Sequence, residues 1–184
     1  MNLPNKITIV RILLIPLFMV LFYLLPEESL WPVVIFILAS ITDFIDGRMA
    51  RSRGLVTTFG KFIDPLADKL LTQAAFILLV DRGEVAGWIA LVILARELMI
   101  TAFRTLAAAD GITIAASKWG KYKTFIQMVT IIIFLSKPFL IQQFSWTFLG
   151  KISTILLYLA LALTILSGLD YLVKNKQVLD LENA

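Results

Sequence analysis

The sequence of 184 residues contains no cysteine and no histidine. Without cysteine the protein has neither disulfides nor thiolate metal ligands. Without histidine it lacks the side chain that most often acts as a general base near neutral pH, and the usual nitrogen ligand of zinc. Any metal site in this protein must therefore be built from oxygen ligands.

Charged residues are also scarce, because they make up only 16% of the chain while hydrophobic residues make up 59%. A chain of this length cannot hide so much apolar surface in a water-soluble core, which predicts a membrane protein. Six apolar stretches are long enough for the ~20 residues of a membrane-spanning helix. They lie near residues 8–25, 31–50, 60–80, 86–108, 122–140 and 148–172. We therefore predict an all-α, polytopic protein with six transmembrane helices, forming a single membrane domain over residues 1–184.

The lysines and arginines are distributed unevenly between the predicted loops. If the amino terminus is cytoplasmic, thirteen of the 17 fall on the cytoplasmic side, only Arg82, Lys137 and Lys151 fall on the outer side, and Arg96 lies at mid-span. The positive-inside rule then predicts that both termini face the cytoplasm. The net charge of +4 suits anionic lipid headgroups and phosphorylated substrates, and no nucleic-acid-binding motif is present.

Four aspartates, Asp43, Asp46, Asp64 and Asp68, interrupt the second and third apolar stretches. The first two are separated by three positions and the last two by four, so each pair shares one face of its helix. A hairpin that turns near Leu55 brings the two pairs to the same depth. The sequence thus predicts that four carboxylates converge on one small volume.

Clustered carboxylates at membrane depth are costly, because each buried charge is expensive and like charges repel. A pair of divalent cations, Mg²⁺ or Mn²⁺, neutralises such a cluster and forms a two-metal site for phosphoryl transfer. Salt bridges with nearby cations are the structural alternative for a single aspartate. Four aspartates at matched depth favour the metal site.

Small residues surround the aspartates. Gly47 and Ala50 follow Asp43 and Asp46 by one helical turn, which leaves room for a flat substrate group beside the backbone. Close helix packing is the ordinary explanation of such residues in membranes. Arg51 has a planar guanidinium suited to a phosphate, although it is also a typical interfacial anchor, and Gly60 either admits a ligand or begins a helix.

Together these residues form a motif that resembles the complete signature of the CDP-alcohol phosphatidyltransferases. It reads Asp43-x-x-Asp46-Gly47-x-x-Ala50-Arg51, eight residues, then Gly60-x-x-x-Asp64-x-x-x-Asp68. The resemblance implies six transmembrane helices, a homodimer and a cytoplasm-facing cavity in which a hydroxyl displaces CMP from a CDP-linked substrate.

The resemblance also implies a role for each motif residue. Asp43, Asp46 and Asp64 are metal ligands, and Asp68 is both a ligand and the general base. The CDP-binding residues are Gly47, Ala50, Arg51 and Gly60.

Further residues resemble those of the bacterial phosphatidylglycerophosphate synthase subfamily, which acts in the cytoplasmic membrane with CDP-diacylglycerol as donor and glycerol 3-phosphate as acceptor. They are Asn2-Leu3-Pro4-Asn5 with Thr8 and Arg11, Ala95-Arg96-Glu97 with Arg104, and Ser117-Lys118-x-Gly120-Lys121-x-Lys123-Thr124 with Gln127. The resemblance and the cationic pattern together indicate Arg104, Lys118, Lys121 and Lys123 as ligands of the acceptor phosphate. Membrane anchoring explains the three lysines equally well. Glu97, which shares a helical face with Arg104, is expected to orient it.

Two kinds of alternative function remain open on the sequence. The same chemistry with serine, inositol phosphate or phosphatidylglycerol as acceptor fits the motif. A cation transporter accounts for the aspartates, but not for Arg51 or the small residues beside them.

Overall fold

The structure, a computed structural model, describes the backbone of residues 3–53, 58–109, 114 and 117–175, and the side chains of 8–42, 67, 69–108, 114 and 117–175. Every regular element in these segments is an α-helix. The helices are α1 (Leu3–Leu24), α2 (Trp31–Arg53), α3 (Thr58–Asp81), α4 (Gly87–Ala109), α5 (Lys118–Phe144) and α6 (Leu149–Lys174). The predicted all-α class and the six helices are confirmed.

Two of these helices, α5 and α6, are long and apolar enough to cross a membrane by length and composition. Shorter apolar segments lie in α1 and α2, over Thr8–Leu24 and Trp31–Thr42. Helix α4 has the length of a span but carries three charged residues, Arg96, Glu97 and Arg104.

The first compact unit comprises Met1–Val85 and Ile131–Gly150. Within it, α1 packs against both α2 and α3, and α2 also contacts α3. Phe18 and Phe36 are fully buried, with ring centroids 5.8 Å apart, and Phe22 packs edge-on against Phe18. The contact of α2 with α3 supports the predicted hairpin of the second and third apolar stretches.

Helix α3 ends in a turn that requires glycine. Gly83 has a φ of +75°, in the left-handed region that L side chains rarely adopt. The amide of Gly83 donates to the carbonyl of Val80, and that of Glu84 donates to the carbonyl of Leu79. This is the Schellman pattern, which satisfies the last carbonyls of the helix.

Ion pairs join the segments around this turn within the first unit. Arg82 contacts Glu27 with its Nε 3.5 Å from the carboxylate, and it donates from Nη2 to the carbonyl of Phe22 at 3.3 Å. Glu84 accepts a hydrogen bond from Lys137 of α5. Two of the three cations assigned to the outer side are thus neutralised by carboxylates.

The second compact unit comprises Ala86–Thr130 and Lys151–Ala184. Polar side chains connect its helices: Gln127 donates to the hydroxyl of Thr164 at 3.1 Å, and the Thr130 hydroxyl lies 3.3 Å from a backbone carbonyl of α6. All three of these side chains are buried. Such bonds stabilise helix pairs in lipid, where water offers no competing partner.

Candidate active site

All eight motif residues lie in helices. Asp43 and Asp46 belong to α2, and Asp64 and Asp68 belong to α3. Because both stretches are helical, spacings of three and four positions place each aspartate pair on one face of its helix. The predicted turn at Leu55 lies outside the described residues.

The side chains of the motif residues lie outside the described part of the structure, so their roles stay predictions. They are Asp43, Asp46, Gly47, Ala50, Arg51, Gly60, Asp64 and Asp68. Among the side chains that are described, no group of three acidic residues could hold a metal ion. The four motif aspartates fit divalent cations by their chemistry, since carboxylate oxygens are the ligands that Mg²⁺ and Mn²⁺ prefer.

The described residues next to the motif allow the helices to approach closely. Ala39, one turn before Asp43, and Ala67, beside Asp68, are both fully buried. Small side chains at buried positions let helix backbones come near each other in membranes. The local packing is therefore compatible with carboxylates from α2 and α3 meeting.

A buried charge cluster lies in the second unit, where the sequence places the acceptor-binding residues. Glu97 of α4 is ion-paired with Lys123 of α5, and these residues are only 8% and 2% exposed. Arg96 approaches the same Glu97 oxygen at 3.2 Å and donates to the hydroxyl of Ser167 on α6 at 3.0 Å. The cluster thus connects α4, α5 and α6.

This cluster distinguishes Lys123 from the other predicted acceptor ligands. Its side chain is 3% exposed and its ammonium group is held by Glu97, an arrangement typical of a structural ion pair. Lys118 and Lys121 are exposed at the start of α5, where the Gly120 amide donates to the side chain of Ser117 at 3.1 Å and caps the helix. The structure leaves the acceptor roles of these lysines as predictions.

Arg104, the fourth predicted acceptor ligand, is exposed but anchored. Its Nε donates to the hydroxyl of Tyr171 on α6 at 3.2 Å, and its guanidinium lies 5.4 Å from the centre of the Tyr171 ring. The expected contact of Arg104 with Glu97 is not formed. Glu97 is instead engaged by Arg96 and Lys123.

Two polar residues of this region were missed by sequence reasoning. Ser167 and Tyr171 are buried on α6, four positions apart, so they face the same side of the helix. That spacing next to Gly168, in a mostly apolar helix, is the signal that could have identified them.

Three further polar residues that carry the subfamily resemblance are buried. Thr8 and Arg11 of α1 are 1% and 0% exposed, and Gln127 of α5 is 3% exposed. Because these three side chains are buried, contact with solvent does not explain why polar residues occupy these positions.

Comparison with known proteins places this chain in a family. The family model described as CDP-alcohol phosphatidyltransferase matches residues 1–175. A protein of Bacillus subtilis strain 168 is 39% identical, with 99% of both chains covered, and is named CDP-diacylglycerol–glycerol-3-phosphate 3-phosphatidyltransferase.

Two further relatives carry the same name. The Rickettsia typhi protein is 41% identical over 92% of this chain and 94% of its own length. The Haemophilus influenzae protein is 38% identical over 93% of this chain and 91% of its own. With the motif intact on α2 and α3 and nearly the whole chain matched, this protein belongs to the CDP-alcohol phosphatidyltransferase family.

Proposed function

We propose that this protein transfers the phosphatidyl group of CDP-diacylglycerol to glycerol 3-phosphate, which yields phosphatidylglycerophosphate and CMP. The observation that carries the proposal is the complete motif on two contacting helices, in a chain that matches relatives of that name over almost its full length. The alternative acceptors serine, inositol phosphate and phosphatidylglycerol are less favoured, because the names of these relatives specify glycerol 3-phosphate.

The donor is bound by the motif. Asp43, Asp46 and Asp64, together with Asp68, hold two divalent cations, Mg²⁺ or Mn²⁺. Gly47, Ala50 and Gly60 leave space for the CDP group and Arg51 contacts its diphosphate. The chemistry that the cations supply when bound is neutralisation of the diphosphate and of the charge that develops on CMP.

The chain's own residues complete the transfer. Asp68 accepts the proton of the acceptor hydroxyl as its oxygen attacks the phosphorus atom bonded to the diacylglycerol oxygen. The bond from that phosphorus to the bridging oxygen breaks, and CMP leaves with the electron pair. No covalent intermediate on the enzyme is needed, since phosphoryl transfer depends mainly on positioning and electrostatics.

The acceptor phosphate is bound by cations of α4 and α5. Arg104 is the main ligand, because its guanidinium is exposed, permanently charged and able to form two parallel hydrogen bonds. Lys118 and Lys121 add positive charge at the capped start of α5. Lys123 contributes through its pair with Glu97, which holds α5 against α4.

The protein acts as a single six-span domain of the bacterial cytoplasmic membrane, as a homodimer, with both termini and the active site on the cytoplasmic side. The pairing of Arg82 with Glu27 and of Lys137 with Glu84 is compatible with this orientation, because it neutralises two of the three cations assigned to the outer side. On the cytoplasmic side Lys123 and Lys174 are also paired, with Glu97 and Asp170, whereas Lys118 and Lys121 have no ion pair among the described residues. Membrane lipids surround the helices and supply the donor.

Labelled glycerol 3-phosphate tests the proposal. The purified protein in mixed micelles is given CDP-diacylglycerol, Mg²⁺ and each candidate acceptor in turn. We expect label from glycerol 3-phosphate to enter the organic phase only when CDP-diacylglycerol is present, with an equal amount of CMP released. Faster CMP release with another acceptor would overturn the assignment of the acceptor, and ion flux across vesicles without any CMP release would indicate a transporter.

A further inference from the structure

Tyr171 lies near the end of α6, among apolar side chains of the second unit. It is 2% exposed and packs with Ile100 and Phe103 of α4. Its ring meets that of Phe103 at 5.7 Å and 81°, an edge-to-face arrangement. The orientation of the ring is therefore fixed by its neighbours.

The hydroxyl of this buried ring accepts a hydrogen bond from Arg104. Arg104 reaches it through Nε, at 3.2 Å, while the ring also attracts the guanidinium, whose central carbon is 5.4 Å from the ring centre. Neither terminal nitrogen of Arg104 is bonded to any described residue. The Nε side of the guanidinium is thus held by Tyr171, while Arg104 as a whole is exposed.

This arrangement matters because an exposed arginine ordinarily samples many rotamers. Fixing such a side chain costs rotamer entropy, which a ligand must otherwise offset when it binds. A guanidinium that is already held on one side loses less entropy when it binds a phosphate. Binding of a small dianion benefits directly from this preorganisation.

We propose that Tyr171 is a positioning residue for the acceptor: it fixes the guanidinium of Arg104 so that both terminal nitrogens face the phosphate of the acceptor. The inference rests on the proposed function, in which Arg104 binds that phosphate. It assigns to α6 a residue that determines affinity for a phosphorylated acceptor, without contact between Tyr171 and the substrate.

Tyr171→Phe tests the role, because it keeps the ring and the packing but removes the hydroxyl. We expect the KM for glycerol 3-phosphate to rise about 5- to 10-fold, as for loss of a hydrogen bond to a charged group. The KM for CDP-diacylglycerol and the kcat should stay within about twofold of wild type. The unfolding midpoint should stay within a few degrees of wild type. Tyr158→Phe is the matched control, since Tyr158 lies exposed on the same helix, and it should change neither KM.

Arg104→Lys provides a second, independent variant on an exposed side chain. It keeps the positive charge but cannot form the bond from Nε, so the KM for the acceptor should rise, and adding Tyr171→Phe should raise it no further. Multiplicative effects of the two substitutions would overturn the inference, because they would show that Tyr171 does not act through Arg104.

The same assays distinguish failure of the positioning role of Tyr171 from failure of the proposed function. If Arg104→Lys weakens the acceptor while Tyr171→Phe does not, the positioning role is wrong and the acceptor site stands. If neither substitution alters the KM for glycerol 3-phosphate, Arg104 is not the acceptor ligand. If the wild-type protein transfers nothing to glycerol 3-phosphate, the proposed function itself is wrong.

Discussion

In the buried cluster of Arg96, Glu97 and Lys123, loss of the carboxylate should destabilise the protein more than loss of one cation. Glu97 is the carboxylate that both cations contact, through the Lys123 ammonium and through Arg96 Nη1 at 3.2 Å. Glu97→Gln removes the negative charge that both cations contact. Lys123→Met leaves the pair of Arg96 with Glu97 in place. The first substitution should therefore be the more damaging one.

The expected magnitudes follow from the burial of the side chains, 3% exposed for Lys123 and 11% for both Arg96 and Glu97. Removing one partner of a buried ion pair costs about 3–5 kcal/mol, which we expect for Glu97→Gln. Lys123→Met should cost about 1–2 kcal/mol, because the remaining carboxylate keeps a cationic partner. The double substitution should be less destabilised than Glu97→Gln alone, by about 1–3 kcal/mol.

Reversible unfolding in detergent micelles, followed by far-ultraviolet circular dichroism, gives the free energies of unfolding. Lys121→Met is the matched control, since Lys121 lies exposed on the same helix, and it should stay within about 0.5 kcal/mol of wild type. Equal losses of unfolding free energy for Glu97→Gln and Lys123→Met would refute the claim that both cations depend on the Glu97 carboxylate. A double variant that is less stable than either single variant would refute it as well.

Three further predictions concern single positions. Asp68→Asn should lower CMP release by at least about 10²-fold because it removes the proposed base, with binding of CDP-diacylglycerol measured in parallel; turnover within about threefold of wild type would rule out that role. Arg104→Ala should raise the KM for glycerol 3-phosphate by about 10- to 100-fold and the KM for CDP-diacylglycerol by less than about threefold, in steady-state assays with each substrate varied; equal loss for both contradicts the assignment. Gly83→Ala should lower the free energy of unfolding by about 1 kcal/mol because of the φ of +75°, whereas Gly150→Ala, which also has open space around the added carbon but no positive φ, should be nearly neutral.

The helices could be predicted from the sequence because long apolar runs in lipid leave the backbone few alternatives. Their bounds could not be predicted so closely. Helix α5 begins at Lys118, several residues before the predicted span at 122, because Ser117 caps it there. An apolar run marks the part of a helix that suits hydrocarbon, and the hydrogen-bonded helix continues beyond it into polar sequence.

The contacts between helices were harder to predict. Spacing along one helix suggested that Glu97 and Arg104 meet, because they lie seven positions apart on one face. Glu97 instead pairs with Lys123, 26 positions away, and Arg104 bonds to Tyr171, 67 positions away. Such partners depend on how neighbouring helices are rotated about their axes, which the periodicity of a single helix does not specify.

The requirement for divalent cations tests the central claim most directly, namely that the aspartates of α2 and α3 hold the ions on which phosphatidyl transfer depends. The measurement is CMP release from CDP-diacylglycerol and glycerol 3-phosphate after exhaustive chelation, followed by titration with Mg²⁺. We predict that release falls to background and recovers with added Mg²⁺, and that Asp46→Asn shifts the recovery to higher Mg²⁺ concentrations. Undiminished release after chelation would contradict the claim.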